Sequence, residues 1–307
     1  MAATASARRR TVGIVAPSGY LPDAQTIDRA ARVFSTRGWQ VQAGDTCFDR
    51  HERFAGTDAQ RAAELQRFCT DTRLDLVVAA RGGYGLTRIL DALDFAAIRA
   101  AGRTICGYSD FTAFNLAYLA RAGGVSLHGP SATDFGAEAP EAWTLDTFFA
   151  TVERLQRSGE FEAGFDADGP QARVRGTLWG GNLALVCALL GTPYLPRLRG
   201  GILFLEDVNE PAYKIERMLV QLEQAGVLGR QRAILLGAFD PLTPMPNDNG
   251  FSLDGVIARL RERLACPVYT GLPFGHVARK LTLPVGLRIA LDAGNGRIEL
   301  RGSTGRG

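Results

Sequence analysis

Short, nearly continuous apolar runs alternate with amphipathic stretches along the first half of the chain. TVGIVAPSG reads as a buried strand with a loop behind it, TIDRAARVFSTRGW as a helix with one apolar face, and WQVQAG as a second strand. A polar stretch, FDRHERFAGTDAQRAAELQRF, predicts a loop leading into a helix. LDLVVAARGGYGLTRIL then predicts a strand, a Gly-rich turn and a helix, and RTICGYSDFTAFNLAYLA and GVSLHGP continue the alternation. Such a β/α order implies a mostly parallel sheet whose active loops lie at the carboxyl ends of its strands.

From about residue 136 to 172 the pattern loosens through FGAEAPEAW and SGEFEAGFDADGPQA, a composition suited to a crossing between domains. The boundary is expected near residue 165, dividing the chain into 1–165 and 166–307. Beyond it lie TLWGGNLALVCALLGTP, GGILFLEDVNE, AILLGAF and a strand-rich close, CPVYTGLPFGHVARKLTLPVGLRIAL. AYKIERMLVQLEQAG reads as a helix with Ile215, Met218, Leu219, Leu222 and Ala225 on one face. A length of 307 residues, past the size at which single cores tend to divide, also favours two domains.

Composition narrows the classes. With 46% hydrophobic and 22% charged residues, and no run near the roughly 20 apolar residues of a membrane span, a soluble globular protein without a membrane partner is expected. The net charge of +3 comes with arginines scattered along the chain, which excludes a nucleic-acid surface. Five widely spaced cysteines with no C-x-x-C pair argue against a disulfide framework and a thiolate metal site, so a reducing compartment fits; Cys106 reads as a small buried residue. The start MAATASARRR is followed by TVGIVAPSGY, broken by Pro17 and Gly19, so no signal peptide and a cytoplasmic location are expected.

The chemistry gathers in the turns. Gly107 two residues before Ser109, at the end of a strand, allows a sharp turn that would expose the hydroxyl and aim the following N–H groups at one point. Taken alone, Ser109 reads first as a helix N-cap with Asp110 in the first turn, and second as a nucleophile; Phe111 stands where the G-x-S-x-G elbow has its last glycine. A serine nucleophile needs a base, and the histidines are His51, among solvated charges, His128, after a strand, and His276, in a Gly/Pro loop. A carboxylate to orient it emerges where the run Ile202 to Leu205 ends in Glu206 and Asp207, although either acid would also cap the helix starting near Pro211. ARGGYG lacks the P-loop and dinucleotide spacings, leaving only a weak oxidoreductase reading. Its glycines would let a backbone N–H complete an oxyanion hole with that of Asp110, or serve only as a permissive turn.

The segments VGIVAPSG, RGGYG, GYSDFTAFN, LHGP, GTLWGGNL, LFLEDVNEPAYKIERML and LPFGHVARKLTLPVG, in that order, resemble the LD-carboxypeptidase family of serine peptidases, which includes self-immunity peptidases acting on a peptide–nucleotide antibiotic. The resemblance implies Ser109 as nucleophile, Glu206 as carboxylate and His276 as base, with the oxyanion held by Asp110 and Gly83 N–H groups. It further implies an α/β fold with a flavodoxin-like or glutamine-amidotransferase-like parallel-sheet N-terminal domain carrying the serine and a smaller β-rich C-terminal domain supplying Glu206 and His276, in a homodimer without metal or cofactor. The implied substrate is a cytoplasmic muropeptide, whose tetrapeptide would lose its terminal D-alanine in wall recycling. Arg81 is the candidate for the substrate carboxylate, with Arg279 and Lys280 as substitutes, and Trp179 is a candidate wall of the cleft, although a core role suits an indole as well. Rival expectations are a self-immunity peptidase and a non-catalytic muropeptide-binding sensor.

Overall fold

In the computed structural model, which describes residues 9–23, 25–242 and 245–305, the strands are β1 (Thr11–Val15), β2 (Gln40–Ala43), β3 (Leu76–Ala79), β4 (Thr104–Cys106), β5 (Ser126–His128), β6 (Glu160–Asp166) and β7 (Ala172–Asn182). They continue with β8 (Ile202–Glu206), β9 (Ala233–Leu236), β10 (Val268–Tyr269), β11 (Leu283–Val285), β12 (Arg288–Gly294) and β13 (Arg297–Ser303). The first sheet has the order β11-β5-β4-β3-β1-β2, with β1 to β5 parallel and β11 antiparallel on β5. Helices cover both its faces, which is why β3 is buried throughout and reads as an unbroken apolar run.

In this order the chain steps from β1 outward to β2, then returns to build β3, β4 and β5 on the other side. The reversal opens a crevice at the carboxyl ends of β1 and β3, where ligands bind in sheets of this kind. The loops after β1, β3 and β4 meet there: Gly19 N–H donates to the Gly82 carbonyl, and Ser18 Oγ to the Asp110 carboxylate.

The second sheet runs β10-β9-β8-β7-β12-β13-β6, parallel from β7 to β10 and antiparallel through β12, β13 and β6. The two sheets touch closely where β7 ends. Thr112, in the helix Thr112–Ala122 behind Ser109, accepts from Asn182 N–H at 3.0 Å. Gly181 has φ +138 there, and a Cβ on it would come within 2.9 Å of His128 Cε1. A side chain would push the sheets apart. β11 adds a second stitch, pairing Leu283 with His128.

Two stretches differ from the pattern-based expectation. Behind RGGYG the chain forms short 3-10 turns, Leu86–Arg88 and Leu90–Ala92, instead of an immediate α-helix. Leu86 N–H is claimed by Asp110 Oδ2 at 2.9 Å, which ties the turn to the neighbouring loop. The loose stretch contains a 17-residue helix, Ala142–Ser158, started by Glu141 accepting from Thr144 N–H, and strand β6. Only Thr144, Phe148 and Val152 of that helix are buried, and β6 turns Phe161 and Phe165 inward among exposed residues, so composition hid both. The boundary expected near residue 165 therefore falls inside β6, and β11 crosses back to the first sheet. Among the described residues no helix is long and apolar enough to cross a membrane. Residues 1–8, on which the expectation about a leader partly rests, lie outside the described residues.

Candidate active site

Ser109 follows β4 at a turn the sequence can make only with small neighbours. Gly107 is packed by Phe111, whose Cγ would lie 2.7 Å from a Cβ there, so the aromatic that replaces the last elbow glycine fills the space left by the first. Tyr108 is extended and Ser109 itself sits at φ 61, the left-handed region that costs a non-glycine residue about 1 kcal/mol or more. Gly82, from the loop after β3, presses on the other side: a Cβ on it would lie 2.6 Å from both Cβ and Oγ of Ser109. The strained serine is held from both sides.

The hydroxyl does not cap a helix. Ser109 Oγ lies 3.0 Å from His276 Nε2, and His276 Nδ1 lies 2.9 Å from Glu206 Oε2. Because the carboxylate accepts from Nδ1–H, the neutral imidazole presents a bare Nε2 to the serine. The His276 loop is fastened to the end of β9, where Ala238 N–H donates to the Phe274 carbonyl at 2.7 Å and Gly275 takes φ +143 against Ala238. Glu206 ends β8 and is 1% exposed.

The neighbouring acid has a different role. Asp207 Oδ1 accepts from the Asn182 amide at 3.0 Å and from Val208 N–H at 2.9 Å, and Oδ2 from Ala184 N–H at 2.9 Å, at the start of the helix Leu183–Ala188. It caps that helix, not the later one beginning at Ala212. Burial pushes its carboxyl up from the usual range, opposed by these hydrogen bonds.

Asp110 uses its side chain as a tie. Oδ2 accepts from Ser18 Oγ at 2.6 Å and from Leu86 N–H, and burial raises its carboxyl above the ordinary value against those bonds. Its N–H, second in the 3-10 turn Ser109–Phe111, has no acceptor among the described residues. The glycine next to that N–H is Gly82, on which a Cβ would lie 3.3 Å from Asp110 N; Gly83 follows it in the loop after β3 with φ +112 and faces Gly19. Arg81 Nη1 donates to the Tyr20 carbonyl at 2.8 Å and has no carboxylate partner among the described residues.

Other candidates are placed elsewhere. Trp179 is 1% exposed and donates to Gln231 Oε1 at 2.9 Å, its indole beside Gly201 at the amino end of β8, the end opposite Glu206. It is a core residue and forms no wall of the cleft. Lys280 is buried on Asp134, whereas Arg279 is exposed and lies over the Trp143 ring at 4.4 Å. His51 is exposed in its loop, and Cys106 is buried.

The sequence reading missed Arg61, fully buried in the polar stretch, whose guanidinium donates to the carbonyls of Pro17 and Gly85 and so braces the loops after β1 and β3. Nothing in its sequence context distinguishes it from a solvated arginine. Ser18, in APSG, carried a weak signal as a loop hydroxyl at the crevice.

His128 is the third nearby ring. It is fully buried between Phe274 and Phe204, with Nδ1 3.4 Å from Asn115 Nδ2, and burial holds its imidazole well below the usual value, with the His276 and Lys280 charges adding to this. The unfolded ring gains a proton near pH 6.5 while the buried one resists, so this contribution to stability is present above that pH and lost as pH falls toward the folded value. Urea unfolding is expected to show up to about 1.4 kcal/mol lost per pH unit below 6.5 from this group, and His128→Gln to flatten that slope. An unchanged slope would remove His128 as its source.

Residues 12–129 match the family model described as the LD-carboxypeptidase N-terminal domain, and residues 175–291 the LD-carboxypeptidase C-terminal domain. The chain belongs to the LD-carboxypeptidase family. It is thus a carboxypeptidase, a hydrolase, and its mixed α/β fold is that of solved relatives. The crystal structure of muramoyltetrapeptide carboxypeptidase from Oxalobacter formigenes is 41% identical, with a TM-score of 0.88 over 95% of this chain and 98% of that one. Murein tetrapeptide carboxypeptidase of Pseudomonas aeruginosa is 32% identical over 92% of each chain. Microcin C7 self-immunity protein MccF of Escherichia coli is 24% identical over 89% of this LD-carboxypeptidase and 87% of itself.

Proposed function

We propose that this LD-carboxypeptidase removes the terminal D-alanine from murein tetrapeptides by a serine acyl-enzyme route, in the cytoplasm and as a homodimer, as part of wall recycling. The observation that carries the reading is the relay of Ser109, His276 and Glu206 at 3.0 and 2.9 Å, drawn from two sheets. The first unit, up to the start of β6, would carry the nucleophile, and the second would bring carboxylate and base across the cleft. Similarity to relatives named for murein peptides supports the substrate class.

Ser109 Oγ attacks the carbonyl before D-alanine while His276 Nε2 takes its proton, and Glu206 stabilises the imidazolium. The N–H groups of Asp110 and Gly83 receive the oxyanion. As the tetrahedral species collapses, the imidazolium protonates the departing amine, leaving an ester on Ser109. Water, deprotonated by the same imidazole, then releases the tripeptide. Mass spectrometry of the tetrapeptide L-Ala-γ-D-Glu-diamino acid-D-Ala tests this directly, and no D-alanine from a folded protein would overturn it.

A carboxypeptidase must also bind the carboxylate of its leaving residue. Arg81, beside the glycine loop and free of a carboxylate partner among the described residues, suits that role. Arg81→Ala is expected to lower kcat/KM by about 10²-fold on the free acid but little on the D-alaninamide analogue. Equal losses on both would exclude this role. The fold shared with MccF, whose structure in complex with glutamyl sulfamoyl guanosine is known, supports a second reading, hydrolysis of an aminoacyl–nucleotide conjugate. A panel containing both substrate types separates the two.

A further inference from the structure

Behind the relay lies a buried ion pair that takes no part in the acyl-enzyme steps. Lys280 Nζ, on a side chain 1% exposed, lies 2.5 Å from Asp134 Oδ1 and donates to Tyr108 OH at 3.1 Å. Burying a lysine is costly unless its partners are fixed, and here they are. Asp134 Oδ2 accepts from Ser131 N–H at 2.8 Å and Ser131 Oγ at 3.0 Å, so its carboxylate cannot swing away. Thr144 pins the lysine's backbone from a third element: its Oγ1 donates to the Ala278 carbonyl at 2.8 Å and accepts from Lys280 N–H at 2.9 Å.

The pair leads to the base through one ring. Tyr108, next to Ser109, has its ring centroid 4.2 Å from Lys280 Nζ and 5.2 Å from the His276 ring. We infer that Lys280, Asp134 and Tyr108 form a positioning unit, which clamps the His276 loop to the serine elbow and keeps Nε2 aimed at Ser109. This rests on the serine reading above. Burial and the Asp134 and Glu206 charges hold the Tyr108 phenol protonated, so it remains a neutral ring under the imidazole.

The unit also balances charge. Facing His276 are Glu206 from β8 and Ser109 and Tyr108 from the elbow, with His128 from β5 close enough to feel its charge; Asp134, from the helix Ala132–Phe135, and Arg81, from the loop after β3, act on the Tyr108 ring beside it, Lys280 lies on that ring from its own segment, and Arg279 turns to Trp143. Lys280 and Asp134 carry opposite charges beside the Tyr108 ring, so their effects on the neighbouring imidazole oppose each other. Removing one leaves the other's charge on the far side of a single ring.

The test is the pH profile of D-alanine release in two variants of opposite charge. Lys280→Met leaves the carboxylate and is expected to move the acid limb of kcat/KM upward by about one unit, and Asp134→Asn to move it downward by a similar amount. Both should lower kcat about tenfold with KM within about threefold, as befits lost positioning. Limbs that do not move, or move the same way, would reduce the unit to a structural ion pair and overturn the inference. If a single variant fails to fold, Lys280→Met/Asp134→Asn, which buries no unpaired charge, should keep the limb within about 0.3 unit of wild type with kcat still lowered. Wild-type kcat in that variant would overturn the inference as well. If wild type releases no D-alanine, the substrate reading has failed, and NMR titration of the His276 imidazole in the same variants decides the inference alone: opposite displacements support it, and none or common ones overturn it.

Discussion

Ser109→Ala is expected to lower D-alanine release by about 10⁴-fold or more, to what oxyanion donors and binding sustain without a nucleophile. The expectation follows from the exclusivity of the arrangement. Ser109 Oγ is the hydroxyl on His276 Nε2, at 3.0 Å, and the adjacent thiol of Cys106 is fully buried on the strand side of the turn. The same residue carries backbone strain, which separates its two roles. At φ 61 a glycine is more at ease than serine or alanine, so Ser109→Gly should be inactive yet more stable by about 1 kcal/mol, or roughly 2 °C in Tm. Wild-type turnover in a folded Ser109→Ala would remove the acyl-enzyme route. A less stable Ser109→Gly would mean that the hydroxyl holds the elbow together and that its strain is offset through His276.

What the sequence allowed one to read was local chemistry. GYSDF sets the small residue and the hydroxyl directly behind the apolar strand run, so the elbow was visible before any contact was known. LEDVNE announced an acid at a strand end, but the choice between its two acids is made by sheet geometry. Successive strand residues face opposite ways, and pairing of β7 with β8 sets Asn182 beside Glu206, leaving Asp207 to take the Asn182 amide and the helix start. Charged residues that serve by being buried were not legible. Arg61 binds carbonyls of Pro17 and Gly85, and Lys280 a carboxylate 146 positions away, and neither distance leaves a trace in local pattern. Trp179 shows the reverse. A large ring beside two glycines suggests a cleft wall, yet Gly180 lets β7 lie against β8, where a Cβ would run into the Phe204 carbonyl, and Gly181 lets the two sheets approach at His128, while the indole goes to the core.

Glu206→Gln should cost about 10³- to 10⁴-fold in kcat while leaving KM and the fold nearly unchanged, because what it removes is charge and direction with little change in shape. The carboxylate serves the imidazole alone, since Oε2 meets His276 Nδ1 at 2.9 Å and Oε1 is buried with no partner among the described residues. An amide in that place offers either its oxygen, which orients the ring but cannot stabilise an imidazolium, or its nitrogen, which forces the proton onto Nε2 and blocks acceptance from Ser109. Stability moves differently from activity. A buried carboxylate with one oxygen unbonded is held at a desolvation cost, so the neutral variant should unfold at the same urea concentration or a higher one. Glu206→Asp keeps the charge but withdraws it by one methylene from a ring fixed through the β9 end, and is expected to recover only part of the rate. Loss of less than about tenfold in Glu206→Gln would show that the imidazolium is stabilised from elsewhere. Asp207 would then be the group to test next, and its bonds to Asn182, Ala184 and Val208 would have to be dispensable.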